Sequence, residues 1–359
     1  LNLVLKHPTN HIQSRWQQFK KTSKMKSQQI IKSTLLLSFL FLMFSCKTLE
    51  PERMIIYDEI TSKVLNESIL NLEVGKSNIV KSNGVNIWYE LIETKKDSAK
   101  GTILFIEGLE GTAMGWGDYI YQPILDEGFN VIRFDNREVG RSTWTENLDY
   151  DLSDMAKDVL TIINDLDLEA VNIVGQSMGG MIAQEFALNY PEKVKTLTLI
   201  YTSGNINDKT LPEPSEVFIN SIIAAYTEYS EDDISSKIKL ELASIDASNV
   251  NPLEREDLLF IARRTRYEIE KRKGKNEHAS EVQLKAINQS GSRYDRLGQI
   301  KIPTLIIHGE KDPLINIKHG KKLASLIPHA KTVWAKDYGH NIPKDFSTII
   351  VSNLIDLIK

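Results

Sequence analysis

The stretch VNIVGQSMGGMIAQEFA, residues 171–187, sets one serine, Ser177, at a joint. Before it, 170–174 is rich in Val and Ile and closed by Gly175, the pattern of a buried parallel strand. After it, 178–190 carries an apolar face at helical spacing and stops before Pro191. A strand that turns into a helix within one or two residues strains the residue at the joint, and the flanking glycines leave room for the turn. The five letters G-x-S-x-G arise readily by chance. The strand before and the helix after make them a nucleophile elbow, which lifts the serine hydroxyl off the sheet edge and sets the next backbone N–H, that of Met178, beside it.

A hydroxyl is a poor nucleophile near neutral pH, so the elbow predicts a base to take its proton and a carboxylate to orient that base. The chain order for this arrangement is Ser, acid, His. Seven histidines are available. His7 and His11 lie near the N-terminus, and His278 sits in the charged run KRKGKNEHAS. His308 ends a strand over 304–307 as a satisfied strand-end residue. His319 and His329 belong to or flank a helix over 317–327 and read as exposed. His340 follows a strand over 331–335 in KDYGHNIP, a loop at a strand end, where an open α/β sheet presents reactive groups. It is the expected base. For the acid, KIPTLIIHGEKDPLIN (301–316) is a buried strand followed by a turn with Asp312-Pro313. Asp312 is the first choice, ahead of Asp208 after the strand over 196–201; Glu310 reads as solvated.

Acyl transfer builds negative charge on a carbonyl oxygen, and preorganised N–H donors stabilise it. One donor is expected from Met178 and the other from the loop EGLEGTAMGW (107–116) that follows the strand GTILFI (101–106), with Leu109 as the best single residue. Glycines at 108, 111, 115 and 117 let that backbone bend toward a substrate. A phosphate-cradling role fits poorly, because the chain lacks a Gly-Lys-Ser/Thr.

The elements GQSMGG, RFDNREVGRST (133–143), PTLIIHGEKDPL (303–314) and GHNIP (339–343) resemble the α/β-hydrolase superfamily over roughly 76–359. The resemblance is strongest to the branch of aclacinomycin methylesterase-like carboxylic-ester hydrolases, as is the segment AINQSGSRYDRLGQIKIPTLIIHG. It implies Ser177, Asp312 and His340 as a catalytic triad. Two departures stand out. Many members have His-Gly where this chain has Glu107-Gly108, and Asp-x-Arg-Gly-x-Gly where it has Asp135-Asn136-Arg137-Glu138-Val139-Gly140. Glu107 reads better as a buried carboxylate held by backbone donors than as a pocket-floor anchor for a cationic substrate group.

The remaining segments predict an α/β fold: a mostly parallel central sheet with helices on both faces and an inserted helical cap. A hairpin over 77–93 turns at Asn83-Gly84. A helix over 116–127, a strand over 129–134 and a helix over 152–166 follow. The core spans 76–204 and 299–359, and the helix-rich, charged insert 205–298 forms the cap, which shapes the pocket and sets substrate choice. Hydrophobic content of 41% and charged content of 26% suit a globular body, and a net charge of −4 gives no case for nucleic acid. No Cys or His cluster has zinc-site spacing, so no metal and no cofactor are expected.

The N-terminal part reads separately. From Met25 the chain runs MKSQQIIKSTLLLSFLFLMFSCKT. Lys26 and Lys32 form a basic region, and 35–44 is an apolar run far short of the roughly 20 residues needed to span a bilayer. That is the form of a secretory signal peptide over about 25–45. It ends at Ser45-Cys46, which resembles the lipobox of bacterial lipoproteins, with Cys46 as the lipidated residue. Residues 1–24 are then upstream of the start, 46–75 is a tether, and the protein is held at the membrane of a bacterial cell envelope. The expected function is a serine hydrolase acting on a small-molecule carboxylic ester through an acyl-enzyme. An acyltransferase or a perhydrolase would use the same triad, an aminopeptidase would add an acidic anchor in the cap, and a non-catalytic binding protein would keep the scaffold without turnover.

Overall fold

A computed structural model describes residues 49–145, 149–230, 232–274 and 276–359. Among them, eight strands form one sheet in the order β1-β2-β4-β3-β5-β6-β7-β8. β1 (Lys76–Ser82) and β2 (Val85–Ile92) make the expected hairpin, with Ser82 opposite Val85 across Asn83 and Gly84. Both turn residues have positive φ, 42° and 85°, which suits Asn-Gly. β2 pairs antiparallel with β4 (Asn130–Phe134). The rest is parallel: β3 (Thr102–Ile106), β5 (Val171–Gln176), β6 (Val194–Ile200), β7 (Thr304–Gly309) and β8 (Lys331–Ala335).

Strands buried on both faces read as continuous apolar runs, and TILFI of β3 is buried at every position. On one face lie α3 (Leu152–Asp165), α4 (Met178–Asn189) and α10 (Ile317–Leu326); on the other lie α2 (Asp118–Asp126) and α11 (Lys344–Ile358). Helix α2 starts two residues later than 116, because Gly117 is its N-cap and the buried Trp116 carbonyl accepts from Arg133 instead. Helix α3 opens on a reciprocal cap between Asp151 and Asp154. The parallel strands end level with one another: Ile106 pairs Gly175, Gln176 pairs Ile200, and Gly309 pairs Ala335. Each loop that leaves this edge therefore opens toward the same space.

The insert 205–298 is helical as expected, with α5 (Glu216–Glu228), α6 (Ile234–Asp246), α7 (Arg255–Lys271), α8 (Ala279–Ser290) and α9 (Tyr294–Leu297). Its own apolar core joins Ala225, Ile238, Leu242, Leu258 and Ala262. Within the span read as a tether, Pro51–Asn66 form helix α1. Tyr57, Ile60 and Val64 of α1 are buried in the cap core, and Arg53 pairs with Asp246 at 2.6 Å. The physical reason is a narrow stripe at i, i+3 and i+7 that finds a matching groove on α6 and α7. Cys46 and the readings placed on 1–48 lie outside the described residues.

Candidate active site

Ser177 joins β5 to α4 with φ 52° and ψ −120°, a conformation that costs an ordinary residue energy and is held here by its surroundings. Its N–H donates to Ile200 O at 3.0 Å, and its carbonyl accepts from the Thr202 hydroxyl at 2.6 Å. The glycines around it are sterically required. A Cβ on Gly179 would lie 2.1 Å from the Ile106 carbonyl oxygen, and one on Gly175 would lie 2.3 Å from Gly179 O. Only without those side chains does α4 start this close to β3.

His340 and Asp312 come to Ser177 from loops after β8 and β7. His340 Nε2 lies 3.0 Å from Ser177 Oγ, and His340 Nδ1 lies 2.6 Å from Asp312 Oδ2. Asp312 Oδ1 accepts from the N–H groups of Leu314 and Ile315, each at 2.8 Å, so its loop closes on its own carboxylate. His308, buried in β7, donates from Nε2 to Ile315 O at 2.7 Å and lies 3.4 Å from Asp312 Oδ2. Burial would raise the Asp312 carboxyl, but the neighbouring His340 and His308 outweigh it and bring it down to about 2. Asp312 is thus a carboxylate at any working pH. With Nδ1–H donated to it, His340 presents an Nε2 lone pair to the serine hydroxyl. The cap holds the same loop from outside, since His340 N–H donates to Ser248 O at 2.8 Å.

The other predicted residues fall as follows. Met178 opens α4, so its N–H lies in the first turn, where no helix carbonyl accepts it. Gly108 is pressed against the elbow, since a Cβ on it would stand 3.2 Å from Ser177 Cβ. Leu109 follows directly, in the turn closed by Gly111 N–H to Gly108 O at 3.2 Å. Asp208 bonds its own neighbour Thr210. His278 and His329 are exposed, but His319 is not: it is 4% exposed, with Nδ1 2.8 Å from Ser203 Oγ and Nε2 donating to Pro212 O at 3.3 Å. It pins the entry to the cap against α10, a contact between positions 116 residues apart that helical spacing does not reveal.

The loop 135–143 departs from the usual glycine pattern without losing its shape. Glu138 takes φ 74° where that pattern has Gly, and its carboxylate accepts from Thr145 N at 2.7 Å and Thr145 Oγ1 at 2.6 Å. Asp135 accepts from Ala113 N and Arg141 N at 2.9 and 2.8 Å and pairs with Arg272 of the cap. Asn136 Nδ2 donates to Glu107 O at 3.1 Å. This loop is therefore the support beneath 107–116. Sequence reasoning passed over Gln176 and Tyr201, whose side chains bond each other behind the elbow, with the Tyr201 ring 4.5 Å from that of His340.

Comparison with known proteins matches residues 101–346 to a family described as alpha/beta hydrolase fold. The chain is 25% identical over 287 residues to rhodomycin D methylesterase of Streptomyces peucetius, covering 74% of this chain and 92% of that one. It is 25% identical over 247 residues to a 2-hydroxy-6-oxononadienedioate/2-hydroxy-6-oxononatrienedioate hydrolase of Escherichia coli, covering 67% and 80%. Among solved structures, the enol-lactonase of Burkholderia xenovorans superposes with a TM-score of 0.61 at 20% identity, over 78% of this chain and 99% of that one.

Proposed function

The chain belongs to the alpha/beta hydrolase fold family, and within it we propose a serine hydrolase that cleaves a carboxylic ester through an acyl-enzyme. Ser177 Oγ attacks the ester carbonyl while His340 Nε2 takes its proton. The carbonyl oxygen becomes an oxyanion, held by the N–H groups of Leu109 and Met178. His340 then gives the proton to the departing alcohol, and the acyl group stays on Ser177. Water, deprotonated by His340, attacks that acyl group and frees the acid. Asp312 fixes the imidazole tautomer and stabilises the imidazolium formed in each step.

The observation that carries this reading is the relay of 3.0 and 2.6 Å from Ser177 through His340 to Asp312. The methylesterase among the relatives supports an ester as substrate. We also propose Cys46 as the lipidated residue of an envelope protein, on the sequence pattern alone. The catalytic reading is tested by a fluorophosphonate probe. The expected result is a single covalent adduct mapped to Ser177, formed far more slowly in His340→Ala. A wild-type protein left unlabelled contradicts it.

A further inference from the structure

The turn after β3 holds a buried acid that the reaction itself does not use. Glu107 is 4% exposed. Its Oε2 accepts two hydrogen bonds, from Gly108 N–H at 3.0 Å and from Gln176 Nε2 at 2.5 Å. Gln176 is the residue before Ser177, and its own oxygen accepts from the Tyr201 hydroxyl. One carboxylate oxygen therefore ties the β3 turn to the elbow. The other, Oε1, is buried with no hydrogen-bond partner. It faces the cap: a Cβ on Gly115 would lie 2.2 Å from Glu107 Oε1 and 3.6 Å from Nη1 of Arg264 on α7. Arg264 is itself held by Glu241 at 2.7 Å.

A buried carboxyl costs free energy unless its bonds return it. The two donors explain why it is there. Without an acceptor at this point, the buried Gly108 N–H would be left unpaired and the half-buried Gln176 amide would lose its tie to the turn. An ionised oxygen is also the stronger acceptor, and the Arg264 guanidinium offsets its charge.

We propose that Glu107 is a positioning residue, clamping the 107–111 turn onto the elbow so that the Leu109 and Met178 N–H groups converge on one oxyanion. The inference rests on the ester-hydrolase reading of the Ser177 site. Burial pushes the Glu107 carboxyl up to about 7, against the bonds from Gly108 and Gln176 and the charge of Arg264. Burial thus disfavours its charged form, which the two donors and Arg264 favour.

The test is p-nitrophenyl ester kinetics of the full chain, together with the affinity for phenylboronic acid, whose Ser177 adduct is tetrahedral. The variants are Glu107→Ala, Glu107→Gln and Ser177→Ala. Glu107→Ala should lower kcat by about 10²-fold, the usual loss for one oxyanion donor. KM should stay within about threefold, and boronate affinity should fall alongside kcat. Glu107→Gln keeps one oxygen for both donors and should recover most of the loss. Should Glu107→Ala not fold, Gln176→Leu opens the same clamp from the elbow side and should lower kcat in the same way. The proposal is overturned if these variants keep wild-type kcat, if only KM changes, or if Gln restores no more than Ala. Turnover surviving in Ser177→Ala overturns the ester-hydrolase reading itself, and this inference with it.

Discussion

Asp312 and Glu107 are both buried carboxyl groups just past strand ends, and their surroundings push them apart. Asp312 has two histidines and two backbone donors and sits near 2; Glu107 has burial ahead of its donors and sits near 7. The separation gives one lasting carboxylate and one group that titrates in the working range. It also has a stability consequence. Glu107 is more basic in the fold than its ordinary 4.5, so folding retains a proton between those two values. Its contribution is fully present below pH 4.5 and is lost as pH rises through 7, about 3 kcal/mol in all. Urea unfolding from pH 5 to 8 should show wild type losing stability relative to Glu107→Gln by roughly that amount; parallel curves would show that Glu107 does not titrate there. His340 was legible because it alone among the histidines read as a loop residue just past a strand and before a proline. His319 was not, because its partner Ser203 is remote in sequence.

At the scale of elements, the elbow and the Asn83-Gly84 hairpin were legible because each is a local rule: a joint that needs glycine, and a turn that needs positive φ. Boundaries of regular strands and helices moved by only a residue or two, as with α2, whose start depends on the carbonyl partner of Trp116. Helix α1 was missed for a different reason. PERMIIYDEITSKVLN is largely polar, and its buried stripe is only as wide as Tyr57, Ile60, Thr61 and Val64. The stripe acquires meaning from the cap, about 200 residues later. Ion pairs from Arg53 to Asp246 and from Arg263 to Glu67 bind the two together. The lipidation proposal places an anchor at Cys46, five residues before α1 in the sequence. Fractionated cells should then carry the enzyme with the membranes, and Cys46→Ala should release it to the soluble fraction. The same distribution for both proteins would sink the anchor.

Across the whole molecule, the strand–helix alternation, broken once by a helical insert, was enough to predict a parallel sheet with a cap. Substrate choice was not legible, since the cap meets the core through contacts such as Gln283 to Arg137 O and Glu110 N–H to Gln283 that join positions more than 140 residues apart. No periodicity records such pairs. What the molecule assembles at the level edge of its sheet is one serine, one histidine and one carboxylate in hydrogen-bond sequence, beneath that cap. The measurement that tests this most directly is the hydrolysis of p-nitrophenyl acetate, butyrate and octanoate by wild type and by Ser177→Ala. The wild type should turn these esters over and the variant should lose at least about 10³-fold, with the fold unchanged by circular dichroism. Equal rates in the two proteins would contradict it.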